Sequence, residues 1–202
     1  MFDYQKHFDA FCKGDGLKLC LSFDMPPGYE AANGTFDFET ETVYINAECL
    51  SGSPDYEQAF FFFHELRHAL QYLRPERFSS AIIRSLPYTI MFDGVCYKLV
   101  DGKYLECKLD GGDEYFTDIY LGQPYKVDAN NYAYEQAKTL YGDSEELRKL
   151  FEFWKPRDIV PNEVYTPSFD RVETPGVPAW CSGWPKSTEA SGCFDWEQVF
   201  NF

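Results

Sequence analysis

The chain has 202 residues, 45% of them hydrophobic and 19% aromatic, which is enough to build the core of one ordinary domain and argues against general disorder. Its 33 acidic and 18 basic residues leave a net charge of −15, so we expect no binding to nucleic acid or anionic membranes, whose phosphates would repel it. No stretch approaches about 18 uninterrupted apolar residues, so no transmembrane helix is expected.

The N-terminal residues and the cysteines bear on location. The first residues lack a basic segment followed by an apolar one, so no signal peptide is expected. The 7 cysteines show no C-x-x-C spacing, which favours free thiols in a reducing compartment. We therefore predict a cytoplasmic protein.

The first 46 residues predict one helix and three strands. Residues 3–13 have apolar side chains at helical spacing, and Gly14 can end that helix. Residues 17–23 alternate as a strand, and 35–38 and 42–46 predict two more strands that meet at a polar turn. An exposed edge strand at this place can hold an extended peptide by backbone hydrogen bonds.

A long helix follows, with clear signals at both ends. Ser53 is the predicted cap, Pro54 suits the first helical position, and Pro75 ends the helix after Arg74. Four residues at helical spacing predict a core-facing stripe: Phe63, Leu66, Leu70 and Leu73.

The same helix carries the motif His64-Glu65-Leu66-Arg67-His68. Residues four positions apart project from one face of a helix, so both imidazoles can reach one zinc ion. Glu65 directly follows the first histidine, and its carboxylate can lie beside a metal-bound water and take its proton. The flanking sequence is apolar, unlike that of a solvated surface helix. The motif therefore predicts a zinc site for metal-assisted hydrolysis.

Three Asp-Gly pairs mark the region after this helix. Asp93-Gly94, Asp101-Gly102 and Asp110-Gly111 separate short alternating runs, which predicts a β-meander within residues 88–120. Such an insert serves either as a substrate-recognition lid or as scaffold.

Two further helices and a tail complete the chain. Residues 125–137 predict a helix that Gly142 ends, with a small-residue face formed by Ala129, Ala133 and Ala137. Asp143 is the predicted cap of the next helix, with Glu146 three positions on, and Pro156 ends that helix. Residues 157–202 are rich in proline and aromatic side chains and predict an irregular tail packed on the domain. Its Cys181 or Cys193 could reach a zinc ion.

A third zinc ligand has to be found elsewhere, because a catalytic zinc commonly takes three protein ligands and a water. The remaining histidine, His7, lies on the N-terminal helix, where a structural role is expected, so the third ligand is expected to be a carboxylate. Asp128 is the first candidate, because the alanines after it permit close approach to the zinc helix, and Glu135 is the second. The other candidates are Glu106, Glu114 and Asp118.

The zinc-helix motif, together with Asp128-Ala129-Asn130-Asn131-Tyr132-Ala133, resembles the gluzincin-type zincin metallopeptidases, especially the ImmA/IrrE-like group. In that group a second helix carries an acidic-Ala-Asn-x-aromatic-Ala pattern whose acid is the third zinc ligand, and the resemblance implies this role for Asp128. The family acid is usually Glu, which is one methylene longer. The resemblance covers residues 34–141.

These observations predict an α+β fold with a zincin-like domain over residues 1–156, containing an active-site helix, a small antiparallel sheet and the meander insert. The predicted function is that of a zinc metallopeptidase, with a regulatory role as one option and a peptide or protein as substrate. Glu65 would pass a proton from water to the leaving amine, and Tyr132 is a candidate to stabilise the oxyanion. The alternative is a zincin-fold module that binds a protein and has a structural or latent zinc site.

Overall fold

The computed structural model describes residues 2–27, 29–30, 32–92, 95–100, 103–106 and 120–156. The architecture is α+β, as predicted. The predicted tail 157–202 and all three Asp-Gly pairs lie outside the described residues. In chain order the elements are α1 (Tyr4–Asp15), β1 (Cys20–Ser22), β2 (Gly34–Asp37), β3 (Thr42–Ile45), α2 (Asp55–Leu73), a 3-10 turn (Pro75–Arg77), α3 (Ser80–Ser85), β4 (Thr89–Phe92), β5 (Val95–Val100), β6 (Lys103–Glu106), α4 (Pro124–Tyr141) and α5 (Glu145–Phe153).

Helix α1 begins where the Asp3 side chain accepts a hydrogen bond from the Lys6 backbone N–H at 3.0 Å. It passes through Gly14, where the sequence predicted its end, and stops at Gly16. Gly16 has a φ of 63°, the left-handed conformation that favours glycine at a helix end.

The first sheet has the strand order β1-β3-β2. β2 and β3 pair antiparallel as predicted, with Phe36 opposite Val43, but β1 runs parallel to β3. The sheet was predicted to be antiparallel but is mixed, because β1 pairs with β3 and not with β2. The strand predicted at 17–23 shortens to the three residues that pair with β3. β2 is an edge strand of this sheet.

Helix α2 packs on β2 and β3 and is buried around most of its circumference. Phe63, Leu66 and Leu70 of the predicted stripe are buried, whereas Leu73 is only partly buried. The predicted Ser53 cap is wrong. Pro54 precedes the helix with an extended ψ of 154° and makes no side-chain cap, so helical geometry starts at Asp55.

Helix α4 packs lengthwise against α2. The predicted small-residue face is confirmed, since Ala129, Ala133 and Ala137 are all 0% exposed. Small side chains let two helix backbones approach closely, and this pairing places residues near the start of α4 beside the histidines of α2. Gly142 ends α4 with a φ of 83°, as predicted.

The second sheet confirms the meander over the described residues. β4 pairs antiparallel with β5, and β5 with β6, so that Phe92 lies opposite Val95 and Val100 opposite Lys103. This is the pairing expected of two consecutive hairpins.

Helix α5 has a different cap from the predicted Asp143. Ser144 Oγ accepts from the Leu147 backbone N–H at 3.1 Å. The Asp143 carboxylate instead accepts from Tyr134 Oη at 2.8 Å and from Arg148 Nε at 2.9 Å. The helix ends at Phe153, before Pro156.

Candidate functional site

The two histidines of α2 converge as their spacing predicted. His64 and His68 are 8% and 3% exposed, and their Nε2 atoms lie 3.0 Å apart with the ring planes at 89°. Two nitrogen ligands of one tetrahedral zinc ion would be separated by about 3.3 Å, given zinc–nitrogen bonds of about 2.0–2.1 Å. The two imidazoles therefore fit two positions of a zinc site.

Gln71 sets the tautomer of His68. Gln71 Nε2 donates to the Tyr125 carbonyl oxygen and to Asp128 Oδ2, both at 2.9 Å. The amide oxygen of Gln71 must therefore face His68, 2.7 Å from Nδ1, and it accepts the hydrogen that Nδ1 carries. His68 Nε2 is left with its lone pair, which is the form of imidazole that binds a metal or accepts a hydrogen bond.

His64 is held less directly. Its Nδ1 atom is buried and makes no hydrogen bond of ordinary length to any residue that the structure describes. The Asn130 side chain acts on the ring and raises its pKa, while the Asn130 amide nitrogen donates to the Trp154 carbonyl at 2.7 Å. Burial, followed by the charge of Lys126, lowers the pKa of both His64 and His68 well below the ordinary value. Both rings are thus neutral near pH 7.

Lys126 is the third member of this cluster, and the sequence reasoning missed it. Its Nζ lies 3.3 Å from His64 Nε2 and 3.2 Å from His68 Nε2, and the residue is 3% exposed. Burial lowers the pKa of Lys126 to about 8, although the nearby Glu65 carboxylate opposes the shift. The ammonium is therefore still the main form near pH 7.

A signal for Lys126 was present in the sequence. Ala129 and Ala133 mark the face of α4 that meets α2, and one turn back along that face lies Lys126, three positions before Ala129 and seven before Ala133. Asp128 is rotated by about 100° from Ala129 on the helix surface.

Asp128 lies on the other side of the His68 ring from the converging Nε2 atoms. Its carboxylate accepts from Arg67 Nε at 2.8 Å and from Arg67 Nη2 at 3.0 Å, in addition to the bond from Gln71. Both oxygens are engaged, and the contact to His68 runs through Gln71 to Nδ1. Among the described residues, no three or more His, Cys, Asp and Glu side chains are grouped so that they could hold one metal ion. A zinc-ligand role for Asp128 remains a prediction that requires it to leave these partners.

Glu65 is buried at 8% exposure beside the edge strand β2. A Cβ atom at Gly34 would lie 2.9 Å from Glu65 Cγ and 2.9 Å from the Tyr44 carbonyl oxygen, so only glycine permits this close approach. Burial raises the pKa of Glu65 to about 7, and the positive charge of Lys126 opposes this shift. A carboxyl group of this kind can both take and release a proton near neutral pH.

A cleft is lined by His64, Glu65 and Lys126. It encloses about 450 Å³, including the part open to solvent, between β2, α2 and the start of α4. The lining residues are Asn33, Gly34, Phe60, Phe61, His64, Glu65, Tyr120, Leu121, Lys126, Asn130 and Trp154.

The remaining predicted residues lie elsewhere. Tyr132 is not among the residues lining the cleft; its ring packs 4.7 Å from the Arg67 guanidinium carbon and edge-on to Phe63. Glu135 is exposed and lies 3.7 Å from Lys138 Nζ. His7 stacks on Phe2 at 4.8 Å between ring centroids. The backbone of Glu106 is in β6, whereas four residues lie outside the described part of the chain: Glu114, Asp118, Cys181 and Cys193.

Comparison with family models, curated proteins and solved structures finds no match to this chain. Within the described residues, none of the helices has the length and apolar character needed to cross a membrane.

Proposed function

We propose that this protein is a zinc-dependent peptidase of zincin type, in which His64 and His68 hold the metal and Glu65 carries the proton. The observation that supports it is the convergence of the two Nε2 atoms, 3.0 Å apart, beside the cleft that His64 and Glu65 line. The lone pair of His68 Nε2, maintained through Gln71, suits a metal ligand. The donor set fits zinc in these two positions, while the position beside them holds Lys126 rather than a carboxylate.

The protein's own residues supply the proton transfers. A bound zinc ion would polarise a carbonyl and activate water. Glu65 takes the proton of the attacking water and delivers it to the leaving amine. The raised pKa of Glu65 supports both transfers, because a group that titrates near the working pH exchanges protons in either direction.

The edge strand β2 supports a peptide as the substrate. Asn33 and Gly34 line the cleft, and Gly34 is in close contact with Glu65. An extended peptide that adds to β2 by backbone hydrogen bonds would pass Glu65 and the histidines. The missing side chain at Gly34 leaves room for Glu65, which therefore lies directly against the strand that would hold the peptide.

The test is zinc-dependent hydrolysis of a peptide library by the full chain. We expect hydrolysis to rise with free zinc to a plateau and to be removed by a chelator. His64→Ala and His68→Ala should both lose it, whereas His7→Gln, which changes the third histidine, should retain it. Hydrolysis that continues undiminished in the chelator would contradict the proposal.

A second experiment assigns the role of Asp128. If Asp128 acts through Gln71, then Gln71→Met and Asp128→Asn should each lower zinc affinity by about 10- to 100-fold, which is typical of groups that orient a ligand. The double variant should then bind no more weakly than the weaker single variant, because both changes break one chain of hydrogen bonds. A much larger loss in Asp128→Asn, additive with Gln71→Met, would identify Asp128 as a zinc ligand.

One observation favours the alternative, a protein-binding module with a latent zinc site. The positive charge of Lys126 lies beside both histidines, at the position that a metalloenzyme would need for its metal ion. On this alternative no zinc concentration would yield hydrolysis in the wild-type protein or in variants at position 126.

A further inference from the structure

We propose that Lys126 keeps the site closed, with its ammonium group at the position beside the two histidines that zinc would take, and that zinc binds after this side chain has moved away. The inference rests on the proposed function, because it concerns regulation of the same site.

The geometry places three nitrogen atoms in a nearly equilateral triangle, with sides of 3.0, 3.2 and 3.3 Å. A neutral imidazole nitrogen without a hydrogen has a single lone pair, which lies in the ring plane. When that pair accepts a hydrogen from Lys126, it is not available to a metal ion. His68 presents such a lone pair because Gln71 holds the hydrogen on Nδ1.

In the closed form, the buried ammonium group of Lys126 has partners that offset the cost of its burial. A buried ammonium group requires hydrogen-bond acceptors and a compensating charge. His68 Nε2 supplies an acceptor, His64 Nε2 lies within hydrogen-bond distance, and Glu65 supplies the negative charge that acts on Lys126. The Tyr120 and Tyr125 rings add contacts, with Lys126 Nζ 5.0 and 5.6 Å from their centroids.

The site can open without moving a helix. Lys126 itself lines the cleft of about 450 Å³, and its side chain is four methylenes long. Rotation of that side chain into the cleft would free both Nε2 atoms, while the alanine contacts between α4 and α2 remain in place. The Asp128–Gln71 hydrogen bond would also persist, so the tautomer of His68 is the same in the closed and open forms.

Zinc affinity of variants at position 126, measured against a competing chelator, tests this inference. Lys126→Met removes the charge at similar length, and we expect it to bind zinc at least about 10-fold more tightly than the wild type. Lys126→Glu should bind at least about 100-fold more tightly, because a carboxylate there completes a set of two histidines and one glutamate. The matched control is Lys138→Met on the same helix, which should bind like the wild type.

A Lys126→Met affinity equal to or weaker than that of the wild type would overturn the inference. Should that variant fail to fold, the ¹³Cε resonance of Lys126 in the wild type decides instead. A shift that tracks zinc occupancy supports the displacement, and an unchanged resonance in the zinc-saturated protein overturns it.

The two proposals fail in different ways. Tight zinc binding by Lys126→Glu and Lys126→Met without any peptide hydrolysis would contradict the proposed function and support the displacement by Lys126. If the wild-type protein binds zinc as tightly as Lys126→Met and hydrolyses peptides, the displacement by Lys126 is contradicted and the proposed function is supported.

Discussion

Glu65→Gln is expected to lower kcat/KM for zinc-dependent peptide hydrolysis by about 100- to 10,000-fold, the range that general acid-base groups contribute. The amide preserves the shape of the side chain in its tight position against Gly34 but can no longer take a proton. Zinc affinity should change far less than the rate, because Glu65 is proposed to act on water and not on the metal. The measurement is kcat/KM at saturating zinc, with zinc affinity determined on the same samples.

The matched control is Glu57→Gln, which makes the same chemical change two turns earlier on α2. We expect it to retain the wild-type rate. An unchanged rate in Glu65→Gln would remove this residue from the chemistry. Loss of zinc together with the rate would instead indicate that Glu65 binds the metal.

Phe62→Ala is expected to lower the free energy of unfolding by about 3–5 kcal/mol, the usual cost of replacing a buried phenylalanine. The side chain is 0% exposed, and its ring centroid lies 5.4 Å from that of Phe2 and 5.5 Å from that of Tyr4. Because Phe2 and Tyr4 belong to the N-terminal segment, the substitution also weakens the packing of α1 on α2. Urea denaturation followed by circular dichroism measures the change.

Leu73→Ala is the control for this substitution. Leu73 lies on the same helix but is only partly buried, so its loss should cost less than half as much. A domain of this size is typically stable by about 5–15 kcal/mol, so Phe62→Ala should remain measurable as a folded protein. Equal costs at the two positions would contradict the description of Phe62 as a centre of the core.

The helices and strands were largely predictable because each has a local cause. The Ala129, Ala133 and Ala137 spacing predicted the face of α4 that packs on α2, and Gly142 predicted the end of that helix. The Asp-Gly pairs at 93 and 101 predicted the pairing of β4, β5 and β6. Each of these residues influences the backbone or the helix face within a few positions of itself.

Helix ends and strand direction were less predictable. Ser53 and Asp143 have the chemistry of helix caps, but Pro54 adopts an extended conformation and the Asp143 carboxylate is engaged by Tyr134 and Arg148. The parallel pairing of β1 arises because β1 joins β3 and not β2, the next strand along the chain, and this is a long-range choice. At the two helix ends the backbone conformation of Pro54 and the side chains of Tyr134 and Arg148 decided the outcome, and for β1 the choice of neighbouring strand decided it.

The sequence by itself determined that His64 and His68 share one face of a helix with Glu65 between them, because helical periodicity alone places side chains four residues apart together. Which group of α4 meets them depended on how α4 is rotated about its axis. The buried alanines turn Lys126 toward the histidines, and Asp128 turns toward Arg67 and Gln71. Only the packing of two helices separated by about 50 residues could decide this, because the buried alanines fix which face of α4 approaches α2.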